Sequence, residues 1–396
     1  MVVAPMTRRV VFLTGTRADF GKLKPLMRAV DSSRLFEGAV FATGMHMLSR
    51  YGLTVEEVTK AGFSRIHGYI NQFHGEQPEL ILANTINGLS RYVQEYQPDM
   101  LVVHGDRVEA LAGAIVGALR NVLVAHIEGG ELSGTIDGTI RHAVSKLAHL
   151  HFVANHDAAE RLRQLGERAE SIYVIGSPDI DVMLSNELPD LDTVRARYGV
   201  PRGAYGIVMF HPVTAEAAVQ ARTARELTSA LVRSPLDYVV IYPNNDPGSE
   251  HILESYESLR RDARFKLLPS MRFEFFLTLL KYAKVLVGNS SAGIHEAPVY
   301  GVPSVNIGSR QQNRFQHESI LEVPDDSEAI REAIRKACGM LTPRPSRFFG
   351  DGHSAPRFLG ALCDPALWET PRQKQFCDLA MLPGLPDPEA ALVDVQ

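Results

Sequence analysis

Met100-Leu-Val-Val-His104, then Gly105-Asp106-Arg107, then a helical stretch leading to Val122-Leu-Val-Ala-His-Ile127 and Glu128-Gly129-Gly130-Glu131, is the segment whose reading decides the fold. Two short apolar runs rich in valine, each ending in a Gly-containing polar turn, flank one helical segment. That is the pattern of buried parallel strands joined by a crossover helix. The alternation extends outward. Val10–Thr14, His151–Ala154 and Ile172–Ile175 read as further strands. Leu23, Leu26, Met27 and Val30, and again Leu82, Ile86, Leu89 and Val93, lay one apolar stripe along a helix that faces a sheet.

From about Ala204 the pattern restarts. Gly206–Phe210, Tyr238–Tyr242, Phe265–Leu268, Lys284–Val287 and Ser304–Ile307 read as strands, with helices near 216–233, 250–262, 272–283 and 291–300. The chain's 396 residues exceed what one hydrophobic core usually serves. The expectation is therefore α/β, with two Rossmann-like, doubly wound parallel-sheet domains over 1–184 and 204–364. Ser185–Gly203, with Pro189 and Pro201, reads as the join. Residues 365–396 read as a helix and tail, rich in Pro and acidic residues, in which Trp368 and Phe376 anchor the helix.

Open parallel sheets bind ligands outside the carboxyl ends of their strands, so two such domains facing one another enclose an interdomain cleft. The chemistry-bearing residues follow strand ends. In the first half these are Gly15-Thr16-Arg17-Ala18-Asp19, Gly105-Asp106-Arg107 and Glu128-Gly129-Gly130-Glu131. In the second half they are His211-Pro212, Pro243-Asn244-Asn245-Asp246 and Gly288-Asn289-Ser290-Ser291.

Composition narrows the class. With 45% apolar and 22% charged residues, and no run of about 18 apolar residues, a soluble protein without a membrane partner is expected. A net charge of -5 argues against general affinity for nucleic acid and confines phosphate recognition to a local cleft. Cys338, Cys363 and Cys377 are far apart, no export signal is visible, and no HExxH or CxxC spacing occurs. A cytoplasmic protein with no metal and no cofactor is the expectation.

The turn from Gly288 to Gly293 feeds a helix N-terminus, where free N–H groups favour an anion such as a diphosphate; the plain alternative is a helix capped by Ser290 or Ser291. Glu296 lies within reach of a ribose diol on that helix. Arg310 follows Gly308-Ser309 in a loop that allows close approach to phosphate, and Arg17 and Lys22 form the corresponding positive loop of the first half. Arg107 adds to that positive edge. Asp106, Glu128, Glu131 and Asp137 are carboxylates on or just after strand ends, interleaved with glycines, and suit acid/base work. His211 and His46 can donate to sugar or phosphate, or be buried and structural. His104, His126 and His142 read as structural.

TGTRADFGKLKPL, TGMHML, HGDRVEALAGAIVGAL, HIEGGELSGTIDGTIRHAVSKLAH, VIGSPDIDVM, IYPNND, GNSSAGIHEAPVYGVPS and GSRQQNR together resemble the hydrolysing UDP-N-acetylglucosamine 2-epimerases of bacterial sialic-acid capsule synthesis, nearly end to end. The resemblance implies a GT-B fold with a final helix crossing back to the first domain. It implies uridine and diphosphate contacts at Arg17, His211, Asn244, Ser290, Ser291, Glu296 and Arg310, and catalytic carboxylates at Asp106, Glu128 and Asp137. It also implies a homo-oligomer (dimer or tetramer) and UDP-N-acetylglucosamine as substrate. His295 departs from the arginine common in relatives, and Gly138 from a second acid. Alternatives of other kinds are a non-hydrolysing epimerase, a glycosyltransferase, a hydrolysing epimerase of a 4-acetamido-6-deoxy UDP-sugar, and a UDP-sugar-binding regulator.

Overall fold

The computed structural model describes residues 7–133, 135–213, 219–243, 246 and 248–378. Seven parallel strands form the first sheet: β1 (Arg8–Thr14), β2 (Phe36–Ala42), β3 (Ile66–Gly68), β4 (Met100–His104), β5 (Leu123–Ile127), β6 (Leu150–Val153) and β7 (Ile172–Val174). Six form the second: β8 (Tyr205–Met209), β9 (Asp237–Ile241), β10 (Phe265–Leu268), β11 (Val285–Gly288), β12 (Ser304–Ile307) and β13 (Ile320–Val323). The orders are β3-β2-β1-β4-β5-β6-β7 and β10-β9-β8-β11-β12-β13, so both sheets reverse direction beside their first strand. That reversal opens a crevice between β1 and β4 and another between β8 and β11, where such sheets receive ligands.

Each sheet is covered on both faces, which is why its strands read as nearly unbroken apolar runs. Val10, Phe12, Val102 and Ala125 pack under the helix Arg17–Asp31, while Val11, Leu13, Leu101 and Val103 pack under the helices Pro78–Tyr96 and Val108–Leu119. In the second sheet, Val208, Val240 and Val305 face one core and Ile207, Val239 and Leu286 the other.

Three strands escape the sequence reading. In β2, Glu37, Gly38 and two alanines interrupt the strand formers Phe36, Val40 and Phe41, so no continuous run shows, and its place beside β1 decides it. β3 and β13 are short edge strands with half-exposed patterns. The expected helix over 291–300 is not continuous. A 3-10 turn, Ser291–Gly293, is followed by a single turn, Glu296–Val299. Pro298 has no N–H to return to residue 294, which removes one rung of the helical hydrogen-bond ladder there.

The join contains a helix of its own, Leu191–Tyr198, started by the Asp190 cap. The helix Ser354–Cys363 lies on the first sheet's core, where Phe358 meets the rings of Phe12 and Phe152. Trp368 stacks on Phe36 and its indole N–H donates to the Leu362 carbonyl. Phe376, by contrast, is 85% exposed and anchors nothing among the described residues, which exclude 379–396. All three cysteines are free, and among the described residues no helix is long and apolar enough to cross a membrane.

Candidate active site

The carboxyl ends of the two sheets face one another across a cleft of about 360 Å³. Its first wall is built by the loops after β1, β4 and β5. Thr16 caps the helix Arg17–Asp31 in a reciprocal box with Asp19, which fixes where Arg17 and Lys22 start. Gly105 takes a positive φ directly after β4 and delivers Asp106 and Arg107 to the cleft. Glu128 holds φ +61° directly after β5, a left-handed conformation that costs a residue with a Cβ about 1–3 kcal/mol. Surrounding contacts sustain it. Its backbone carbonyl accepts from the Arg141 guanidinium at 2.6 Å, and Ser177 Oγ and His104 Nε2, the latter at 3.1 Å, hold its carboxylate.

The carboxylates differ in proton affinity. Burial alone would raise all of them, but Lys22 and His104 beside Glu128 hold that carboxyl well below its usual range. Arg141 and Arg314 similarly keep Asp106 low, with Arg141 in direct ion-pair contact. Asp137 goes the other way: burial and the like charge of Asp106 raise it, against the opposing pull of Arg310 at 3.4 Å. Glu131 is held at about 2 despite burial, chiefly by His295 at 2.9 Å and also by Arg141 at 3.8 Å, and Arg314 pairs with it at 2.8 Å. It is a bridge between the two halves rather than an available base.

The second wall comes from the loops after β8, β11 and β12. Gly288, at φ +140°, lies where an added Cβ would stand 1.9 Å from the Met209 carbonyl, so only glycine lets β11 approach β8. Asn289 then locks that loop to its neighbour, accepting from the His211 N–H at 2.7 Å and donating to the His211 carbonyl at 2.9 Å. Ser290 and Ser291 face the cleft beside His211, whose burial depresses its pKa to about 3 and keeps the ring neutral. Arg310 donates to the Asn289 carbonyl at 3.1 Å, so its guanidinium bridges the Ser290 loop and Asp137. Glu296 is buried at the junction of the walls, 3.5 Å from Lys22, and burial raises its pKa against that ammonium.

Of the residues singled out from the sequence, Arg17, Lys22, Asp106, Arg107, Glu128, Asp137, His211, Ser290, Ser291, Glu296 and Arg310 come together around the cleft. His46 does not. It is fully buried, with Nε2 bonded to Thr14 at 3.0 Å and Nδ1 to Thr54 at 2.6 Å, and burial lowers its pKa to about 4. A neutral ring with both nitrogens engaged supports the loop after β1 from beneath. Gly288 shapes the turn without lining the cleft, and Asn244 lies outside the described residues.

Arg141, Arg314, Ser177 and Asp179 escape the sequence reading because they sit inside helices or loops far along the chain, and only folding brings them to Asp106, Glu131, Glu128 and Lys22. Phe276 and Met271 also line the cleft, and their apolar character reads from sequence as ordinary core. His104, read as structural, instead touches Glu128. Donor atoms of Glu128, Asp179 and His295 lie within 4.8 Å of one another. The Lys22 ammonium, 3.7 Å from Glu128 and 3.3 Å from Asp179, already supplies the positive charge such a group calls for.

Residues 28–363 match the family described as UDP-N-acetylglucosamine 2-epimerase. A Neisseria meningitidis serogroup B protein named UDP-N-acetylglucosamine 2-epimerase is 48% identical over 94% of this chain and 99% of its own. A Legionella pneumophila UDP-N,N'-diacetylbacillosamine 2-epimerase (hydrolyzing) is 32% identical over 89% of this chain and 94% of its own. The crystal structure of a Neisseria meningitidis UDP-GlcNAc 2-epimerase bound to UDP-GlcNAc superposes with a TM-score of 0.74 at 15% identity, covering 89% of this chain and 99% of that one. The architecture is thus the GT-B fold. With the match over residues 28–363 and nearly half of all residues shared along the length of one relative, this chain belongs to the UDP-N-acetylglucosamine 2-epimerase family.

Proposed function

We propose that the protein is a hydrolysing 2-epimerase that converts UDP-N-acetylglucosamine and water to N-acetylmannosamine and UDP, the first step of sialic acid synthesis, in the cytoplasm and as a homo-oligomer. The observation that carries the reading is one cleft holding Asp106, Glu128 and Asp137 on one wall and Ser290, Ser291 and Arg310 on the other. No cofactor enters the chemistry.

The nucleotide binds to the second wall. Ser290, Ser291, His211 and Arg310, with Arg17 and Arg107 opposite, take the diphosphate; Glu296 takes the ribose diol; Phe276 offers the uracil an apolar face. In an α-linked gluco sugar the bond to the leaving oxygen and the C2–H bond are trans-diaxial, which suits anti elimination. The C2 proton is not acidic, so UDP departure must lead, and the cations stabilise the charge that develops on the β-phosphate.

Of Glu128 and Asp106, kept ionised by Lys22 and Arg141, one accepts the proton that leaves C2 and the other the proton of the water that adds at C1. Asp137, whose carboxyl favours the proton, is the donor. A diphosphate that engages Arg310 withdraws the cation beside Asp137 and strengthens its hold on that proton. Hydration of the resulting 2-acetamidoglucal, with the proton delivered to the opposite face of C2, gives the manno sugar free of nucleotide.

The choice of substrate rests on the higher identity to a relative named for UDP-N-acetylglucosamine than to one named for a diacetylbacillosamine. Incubation with UDP-N-acetylglucosamine, without acceptor or added metal, should yield UDP and a free 2-acetamido sugar in equal amounts. Sugar product that stays attached to nucleotide would contradict hydrolysis. Turnover of the 4-acetamido-6-deoxy analogue alone would move the reading to that substrate.

A further inference from the structure

Asp179 stands on the first turn of the helix Pro178–Leu184, where the chain leaves the first sheet, and it is fully buried. Neither of its carboxylate oxygens accepts a hydrogen bond from the described residues. Its ion-pair partner is the Lys22 ammonium at 3.3 Å. A buried carboxylate without donors is costly and persists only where the surroundings compensate for it. The packing of its own helix does not need it, because Ile180 and Met183 supply the apolar contacts there.

Lys22 is shared. Its ammonium is 3.7 Å from Glu128 on the first wall and 3.5 Å from Glu296 on the second, so three carboxylates converge on one cation. Other titratable groups facing this cluster are His104, against Glu128; Tyr300, near Asp179 and Glu296; Glu131, near Lys22; and His295, whose Nε2 is engaged by Glu131 and Arg314. The turn that carries Asp179 is itself pinned. The Ser177 hydroxyl donates to Glu128 and its N–H donates to the Phe349 carbonyl at 2.6 Å.

We propose that Asp179 is a positioning residue for the reaction: it holds the Lys22 ammonium at the fork between Glu128 and Glu296, so one cation sets both groups. The proposal rests on the roles given above to Glu128 and Glu296. Without Asp179 the ammonium closes on the two remaining carboxylates and the acid/base group leaves its place. The negative charge of Asp179 also contributes to the raised pKa of Glu296, after burial and against the pull of Lys22.

The test is a double-mutant cycle of Asp179→Asn and Lys22→Met, read in turnover, UDP affinity and melting temperature. Asp179→Asn keeps the side chain's volume; it should fold, bind UDP within about threefold of the parent, and lose about 10- to 100-fold in kcat, the scale of a displaced catalytic group. Lys22→Met strands three buried carboxylates and should lower the melting temperature or prevent folding, and adding Asp179→Asn should recover part of that loss. In the double variant kcat should be no lower than in Lys22→Met alone. Turnover of Asp179→Asn within about twofold of the parent would overturn the proposal. So would losses that multiply, an Asp179→Asn chain that does not fold, or a second substitution that recovers no stability. If the parent turns over no UDP-sugar, the epimerase reading fails instead, and the melting cycle alone still decides whether Asp179 acts through Lys22.

Discussion

The loops after β4 and β11 occupy the same station in their sheets, each on the fourth strand and each beside the strand order's reversal, yet they carry opposite equipment. The first presents Asp106 and Arg107 as charges. The second presents Asn289, tied to the His211 backbone of the neighbouring loop, and the uncharged hydroxyls of Ser290 and Ser291. One backbone plan has been used twice, and in the proposed reaction side chains divide the labour: the carboxylates of the first half move protons, while the second half, with Arg17 and Arg107 reaching across, holds the anion. Fold alone does not make that division, since a parallel sheet offers a crevice at both places.

The comparison breaks most visibly if the proton-handling carboxylates also bind the nucleotide. Glu128→Gln should lower kcat by about 10²–10⁴ and leave the Kd for UDP nearly unchanged, as steady-state kinetics and calorimetry would show. Parallel loss of UDP affinity would mean the walls do not divide as described. Next in size, Arg310→Ala should weaken UDP binding by about 10- to 100-fold, the loss of a charge-assisted hydrogen bond to phosphate.

A finer probe is the pH profile. Asp137 has its pKa raised in the folded chain, so activity that needs its proton is present at low pH and falls as pH rises through that value. Arg310 opposes the rise, so Arg310→Ala should shift the falling limb to higher pH, and Asp137→Asn should abolish the limb. A limb unmoved by both substitutions would assign it to another group. Smallest of all, Phe376→Ser should change the melting temperature by less than a degree or two, since an exposed side chain carries within about 0.5 kcal/mol.

The sequence is most legible where one force dominates. Buried parallel strands such as Met100–His104 and Val285–Gly288 read directly, because burial on both faces leaves an apolar run. β2 does not, because its Glu37 and Gly38 are tolerated only through pairing with β1. The strand-end carboxylates and serines are legible from position alone. What is hidden is the company each keeps: Arg141 beside Asp106, Arg314 beside Glu131 and Asp179 beside Lys22 are long-range pairs with no local signature. His46 shows the converse, a plausible ligand by sequence whose ring nitrogens are used by Thr14 and Thr54.

Proton NMR of the full chain with UDP-N-acetylglucosamine in heavy water tests most directly that this cleft removes and replaces a proton at C2 while releasing the nucleotide. The account predicts free N-acetylmannosamine with deuterium at C2, together with UDP. Free sugar with its original C2 hydrogen and gluco configuration, or UDP-N-acetylmannosamine as the product, would contradict it.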